Sequence, residues 1–242
     1  MAFATCDGAD GDGMVYEPYA MKPGISAAAN LRQAFAESTL LAMQHRKAVA
    51  MLDTPVMLVP EEEFDEASAE KLYRLVNTRH TADGVVFSQQ HELGAVAVFA
   101  MNADLHTVLT DRFATVEYIP LLQPVWQHFN EESQKSDAAT LFAYMHDKQV
   151  DLMAFRRGRF RLCTTCDTTL AEDAIYYIMA AWRQLAMRPT TDRLRIAGTM
   201  PGRDRVMTEL RKFVADTAEA EAAAAADSTM PLDLQLLHDN TL

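Results

Sequence analysis

Residues 141–164 read LFAYMHDKQVDLMAFRRGRFRLCT, and this stretch decides the fold. It breaks into three apolar runs, Leu141–His146, Gln149–Phe155 and Arg159–Thr164, separated by Asp147-Lys148 and Arg157-Gly158. Short runs rich in aromatic and branched side chains, split by two-residue polar turns, form hairpins. Three in succession form a meander.

Downstream, Leu170 to Met187 places Ala174, Ile178, Ala181 and Leu185 on one face, the pattern of a long amphipathic helix. Thr169 is placed to cap it, and Arg188-Pro189 ends it. Leu194–Ala197 reads as a strand, Gly198 to Gly202 as a turn and Asp204 to Ala215 as a helix. The order β-β-β-α-β-α is the opening pattern of a ribonuclease-H-like subdomain, the unit repeated in actin-like ATPases. Ala218 to Ala226 alternates acid and alanine, a helix extension or a linker, and the apolar Met230–Leu237 is expected to dock as a tail.

Upstream the pattern is looser. Residues 1–25 read as an irregular, flexible segment. Asp7 to Gly13 would fit a calcium loop only if Gly8 and Tyr19 supplied side-chain ligands, which neither can as that motif requires. Ser26 caps a predicted helix to Gln44 carrying Leu31, Phe35, Leu40 and Met43. Ala48–Leu52 and Val56–Val59 read as strands around a turn. The acids Glu61, Glu62 and Glu63 open a helix reaching Val76, where they favour the positive end of its dipole. Val85–Ser88 and Ala95–Met101 pair as a hairpin, followed by a helix to Phe113, a strand at Val116–Ile119 and a helix around Trp126. Polar Glu131 to Asp137 is the predicted boundary. The expected organisation is thus a flexible 1–25, subdomains over 26–136 and 137–217, and a linker with docking tail over 218–242.

Composition sets the function classes. The 242 residues are 49% hydrophobic and 23% charged, ordinary for a globular core. A net charge of −12 repels nucleic acid at long range. No apolar run is long enough to span a bilayer, no signal peptide is read at the start, and three cysteines form no disulfide framework. A cytoplasmic location is expected.

Three further stretches carry a family resemblance. They are Leu58-Val59-Pro60-Glu61-Glu62-Glu63-Phe64-Asp65; Ala171 to Ile178 with Trp182-Arg183-Gln184-Leu185; and Met230-Pro231-Leu232-Asp233-Leu234. Together they resemble, over about residues 26–237, a bacterial family catalogued as domain of unknown function 3822. The resemblance implies an α/β actin-like fold of two ribonuclease-H-like subdomains, mixed sheets flanked by helices, related to the actin-like proteins of pilus and type II secretion assembly. It implies no activity. The family begins with a strand hairpin that residues 1–20 do not visibly supply, so the first subdomain is expected to be incomplete or its start misassigned.

Actin-like ATPases hold phosphates on glycine turns, where a bare backbone can approach, with an aspartate nearby for magnesium or water. The equivalent turn is Tyr144 to Gln149, and Tyr144 and His146 stand where active relatives carry an Asp-x-Gly pattern. A degenerate ATP/Mg site would draw on Asp147 and Lys148 at that turn, and on Gly198 and Gly202 before a helix N-terminus. Chain reversal accounts for the same residues.

Other constellations compete. Cys163 and Cys166 are spaced as a redox pair, but on a strand they face opposite ways. From Arg156 to Phe213 twelve Lys or Arg face six acids, +6 locally against −18 elsewhere. Arg157, Arg159 and Arg161 would share one strand face toward an acidic partner. Asp151 and Asp167 are candidates by position for nuclease carboxylates. The leading expectation is a non-catalytic actin-like scaffold binding another protein, without cofactor or metal. The alternative is a divergent ATP-binding ATPase using the inter-subdomain cleft.

Overall fold

The hairpin missing from the sequence reading is present. In the computed structural model, which describes residues 1–6, 14–43, 45–78, 83–220 and 230–239, strands β1 (Ala2–Cys6) and β2 (Met14–Pro18) pair antiparallel, Phe3 opposite Glu17. Residues 2–6 and 14–18 are therefore strands, where the sequence reading expected an irregular segment. The small residues Ala2, Ala4 and Thr5 hid the strand, which is fixed by Phe3 packing on Tyr19 at 5.9 Å. The calcium-loop reading at Asp7 to Gly13 lies outside the described residues.

The chain divides into two units at Gln123/Pro124, earlier than predicted. In the first unit, α1 (Ala27–Glu37) starts where the Ser26 hydroxyl accepts from Ala29 N at 3.2 Å. It stops at Ser38, short of the predicted Gln44, because the Ser38 hydroxyl turns to Glu17 at 2.9 Å. Ala28, Leu31 and Ala34 of this helix form a small core. Next come β3 (Lys47–Leu52), β4 (Val56–Pro60), α2 (Glu66–Val76), β5 (Gly84–Gln90), β6 (Ala95–Met101), α3 (Ala103–Arg112) and β7 (Thr115–Pro120). Strands β3 and β4, read as neighbours around a turn, join different sheets: β3 runs parallel to β7, and β4 lies antiparallel to β6 in a sheet ordered β4-β6-β5. The acidic run Glu61–Glu63 is an exposed 3₁₀ turn, and α2 begins later, where Asp65 accepts from Ser68 N at 2.9 Å. Tyr73 and Ala69 of α2 pack against Val98 and Ala100 of β6.

Helix α4 (Gln123–Gln134) spans the division, and most of the supposed polar linker is its last turn. The second unit then follows the predicted order. Strands β8 (Thr140–His146), β9 (Gln149–Arg156) and β10 (Arg159–Asp167) form the meander, helix α5 (Ala171–Gln184) follows, then β11 (Arg193–Gly198) and α6 (Arg203–Leu210). Asp173 anchors the start of α5 by accepting from Thr169 N and Leu170 N, so the cap falls at Leu170 and not Thr169. A strand β12 (Asp216–Glu219) takes the place of the expected start of the linker, and helix α7 (Leu232–Asp239) is the last element among the described residues.

The five-stranded sheet is ordered β10-β9-β8-β11-β12. Only β9 runs against the rest: it is antiparallel to β8 and β10, while β8, β11 and β12 are mutually parallel. Alternation gives the sheet two buried faces. Leu141, Ala143, Val150, Leu152, Leu194 and Ile196 face α5 and α6. Phe142 faces the other way and stacks on Phe129 of α4 at 4.4 Å, a contact worth about 0.5–1.5 kcal/mol beyond burial. Arg195 on this second face is 6% exposed; its Nε lies 3.7 Å from buried Glu132 and its guanidinium bonds Asp216, which lowers the Asp216 pKa. Among the described residues no helix is long and apolar enough to cross a membrane.

Candidate functional site

The candidate site lies where β8 ends. The two-residue turn Asp147-Lys148 is exposed, with Asp147 in the left-handed region at φ 47°. A turn of that length fixes the register: His146 opposes Gln149, and Tyr144 opposes Asp151. Residues two apart on a strand share a face, so Tyr144, His146 and Asp151 converge. The Tyr144 and His146 rings stack with centroids 4.9 Å apart. His146 Nε2 lies 2.5 Å from Asp151 Oδ2, so with Asp151 ionised the ring proton sits on Nε2. Thr165 of β10 donates its hydroxyl to Asp151 Oδ1, also at 2.5 Å. Asp151 is 1% exposed, and its carboxylate is shared between these two partners.

Tyr144 is also fully buried, and its hydroxyl donates to Asp233 Oδ2 on α7 at 3.4 Å. Burial, with the Asp233 charge second, raises the Tyr144 pKa well above that of a free phenol. Burial likewise raises the Asp233 carboxyl.

Of the predicted nucleotide residues, Asp147 adjoins this cluster, its Oδ2 3.8 Å from His146 Nδ1, and Gly198 packs against Met145 and Tyr144. It pairs with Met145, and Thr199 N donates to Met145 O at 2.7 Å. Its φ is +76°, and a Cβ there would fall 2.0 Å from Met145 O and 2.8 Å from Tyr144 Cε2. The bare side of Gly198 is filled by β8. Gly202, at φ +80°, begins α6 and packs toward Ala171 of α5, with the helices on the opposite face of the sheet from Tyr144. Asp147, Lys148 and Gly198 therefore share one end of the sheet, whereas Gly202 goes with the helical layer.

Arg157 is not on a strand face with Arg159 and Arg161. It sits in the β9–β10 turn at φ 54°, and a register shift between Phe160 and Leu162 interrupts the alternation beyond it. All three remain exposed, on edge strand β10 and its turn. Among the described residues six of the basic region's twelve cations are ion-paired, namely Arg188, Arg193, Arg195, Arg203, Arg205 and Lys212, which cuts the local positive field. Cys163 and Cys166 pair with Met153 and Val150 on opposite faces. Burial, then the Asp151 charge, pushes the Cys163 thiol up to about 12. Asp151 and Asp167 lie on the same face, and Asp167 accepts from Gln149 Nε2 at 3.3 Å. Among the described residues no group of three or more His, Cys, Asp or Glu side chains has metal-binding geometry.

Sequence reasoning found Tyr144 and His146 but missed their partners. The pairing with Asp151 was available, because a two-residue turn dictates it. Asp233 stood in the expected docking tail, but nothing local tied it to Tyr144, 89 residues away.

Comparison with solved structures agrees with this architecture. The chain is similar to a Bacteroides thetaiotaomicron protein with actin-like ATPase fold and unknown function, at TM-score 0.83 and 22% identity, over 94% of this chain and 87% of that one. It also matches a chain of the PilM-PilN type IV pilus biogenesis complex at TM-score 0.49 and 13% identity, over 86% and 80% of the two chains. No curated protein matches the sequence. The fold is that of the actin-like ATPases. The family described as "Protein of unknown function (DUF3822)" matches residues 1–216, hairpin β1–β2 included, and the chain belongs to it.

Proposed function

We propose that the protein is a non-catalytic actin-like scaffold of the cytoplasm that binds another protein. One observation carries the reading: the stacked, hydrogen-bonded rings of Tyr144 and His146 at the end of β8. A phosphate in that position needs a backbone it can approach and a carboxylate able to hold magnesium. Tyr144 is instead buried against Gly198, and Asp151 already accepts from two side chains. These residues do not fit an ATP/Mg group, and no chemical step is derived through one. Arg157, Arg159 and Arg161, exposed at the end of an edge strand, are the cations offered to an acidic segment of a partner.

Isothermal titration with ATP and magnesium tests the proposal. No saturable heat is expected. Micromolar binding, abolished in Lys148→Ala or Asp147→Asn, would restore the ATPase alternative.

A further inference from the structure

The outward side of α5 exposes Tyr176 beside Phe213, over a floor of buried Trp182 and Met187 and of Met179 packed on the core. A groove of about 510 Å³ lies along it, with Tyr176, Met179, Trp182, Arg183, Met187 and Phe213 in its lining. Tyr176 is 66% exposed and Phe213 53%, and Leu170 at the start of the helix is 59% exposed. Large apolar side chains grouped in this way mark an interaction surface.

The charges beside them identify the occupant. Along the outward stripe of α5 stand Glu172, Tyr176, Met179 and Arg183, at offsets of four, three and four, which keep them on one face. The stripe is its own complement. Glu172 and Arg183 are equidistant from the point between Tyr177 and Ile178, and so are Tyr176 and Met179. Laid antiparallel across that point, a second α5 sets Arg183 against the partner's Glu172 and Tyr176 against the partner's Met179. The two-fold axis makes each contact twice. Arg183 is exposed and has no ion pair with a described residue, while among the described residues Glu172 pairs with Arg205, on an open surface at 2.6 Å.

We propose that α5 is the centre of a two-fold homodimer interface of this chain. The inference goes beyond the scaffold reading, since it depends neither on nucleotide nor on another protein. Sedimentation velocity of the full chain across the micromolar range tests it. A concentration-dependent dimer is expected. Tyr176→Glu should weaken it at least tenfold, and so should Arg183→Glu, which faces like charges across the axis. Adding Glu172→Arg to Arg183→Glu restores opposite charges and should recover the dimer, a rescue that a folding defect cannot imitate. A monomer at every concentration, a dimer indifferent to Tyr176→Glu, or a double variant as weak as Arg183→Glu alone would each overturn the proposal.

Discussion

Replacing Gly198 with alanine tests whether this glycine serves chain packing. The new methyl would lie 2.0 Å from the carbonyl oxygen of Met145 and 2.8 Å from the Tyr144 ring. Neither neighbour can retreat easily, because Met145 O accepts from Thr199 N and Tyr144 is 2% exposed. A left-handed backbone costs an alanine about 1–2 kcal/mol. Relieving the overlap by easing β11 away from β8 adds about 1–3 kcal/mol of repacking strain and about 1 kcal/mol for a weakened ladder bond. Gly198→Ala should therefore destabilise by about 3–6 kcal/mol. Gly158→Ala is the control: its φ is also left-handed, at +69°, but the nearest atom is the Gln134 side chain at 3.2 Å, which can move. Its cost should be about 1–2 kcal/mol. Urea unfolding followed by tryptophan fluorescence reads this unit alone, since both tryptophans, Trp126 and Trp182, lie within Pro124–Leu237. A difference below about 0.5 kcal/mol between the variants would refute the packing argument, because the overlap term alone is larger.

Two further outcomes follow from the buried groups. Asp233 has a raised pKa in the folded chain, so its contribution to stability is fully present below the ordinary value of 3.8 and is lost as pH rises through the folded value. Asp233→Asn should then strengthen docking of α7 at neutral pH, seen as slower amide exchange over Leu232–Leu237, with no gain below pH 3.8; faster exchange at neutral pH would contradict it. Cys163, its thiol pushed up to about 12, should resist alkylation at mildly alkaline pH until the chain unfolds, and should form no disulfide with Cys166. Three residues along a strand span about 10 Å, beyond disulfide reach. Peptide mapping that finds a Cys163–Cys166 bond in the native protein would reverse the strand assignment.

The second unit was readable because its elements announce themselves locally. The turns Asp147-Lys148 and Arg157-Gly158 divide the meander, and the α5 stripe of Ala174, Ile178 and Ala181 is buried as its period requires. Strand β12 was not readable: Asp216, Thr217, Ala218 and Glu219 hold no large apolar side chain, and the strand exists because its backbone pairs with β11. Strand β1 is nearly as quiet, with Phe3 as its one large apolar side chain, and it is held by pairing with β2 and by Phe3 packing on Tyr19. Arg195 was counted only among the twelve cations of the basic region, although it occupies a strand buried on both faces, where a charge must find a partner such as Glu132 or Asp216. Asp233 lay beyond any local rule because only the finished tertiary structure brings it to Tyr144.

That last contact has a consequence for synthesis on the ribosome. Tyr144 leaves the exit tunnel 89 residues before the carboxylate that receives its hydroxyl. At about 5–20 residues per second the interval is on the order of ten seconds. Throughout it the nascent second unit lacks the helix bearing Leu232 and Leu236, both buried in the finished protein, and their berth stays open to chaperones.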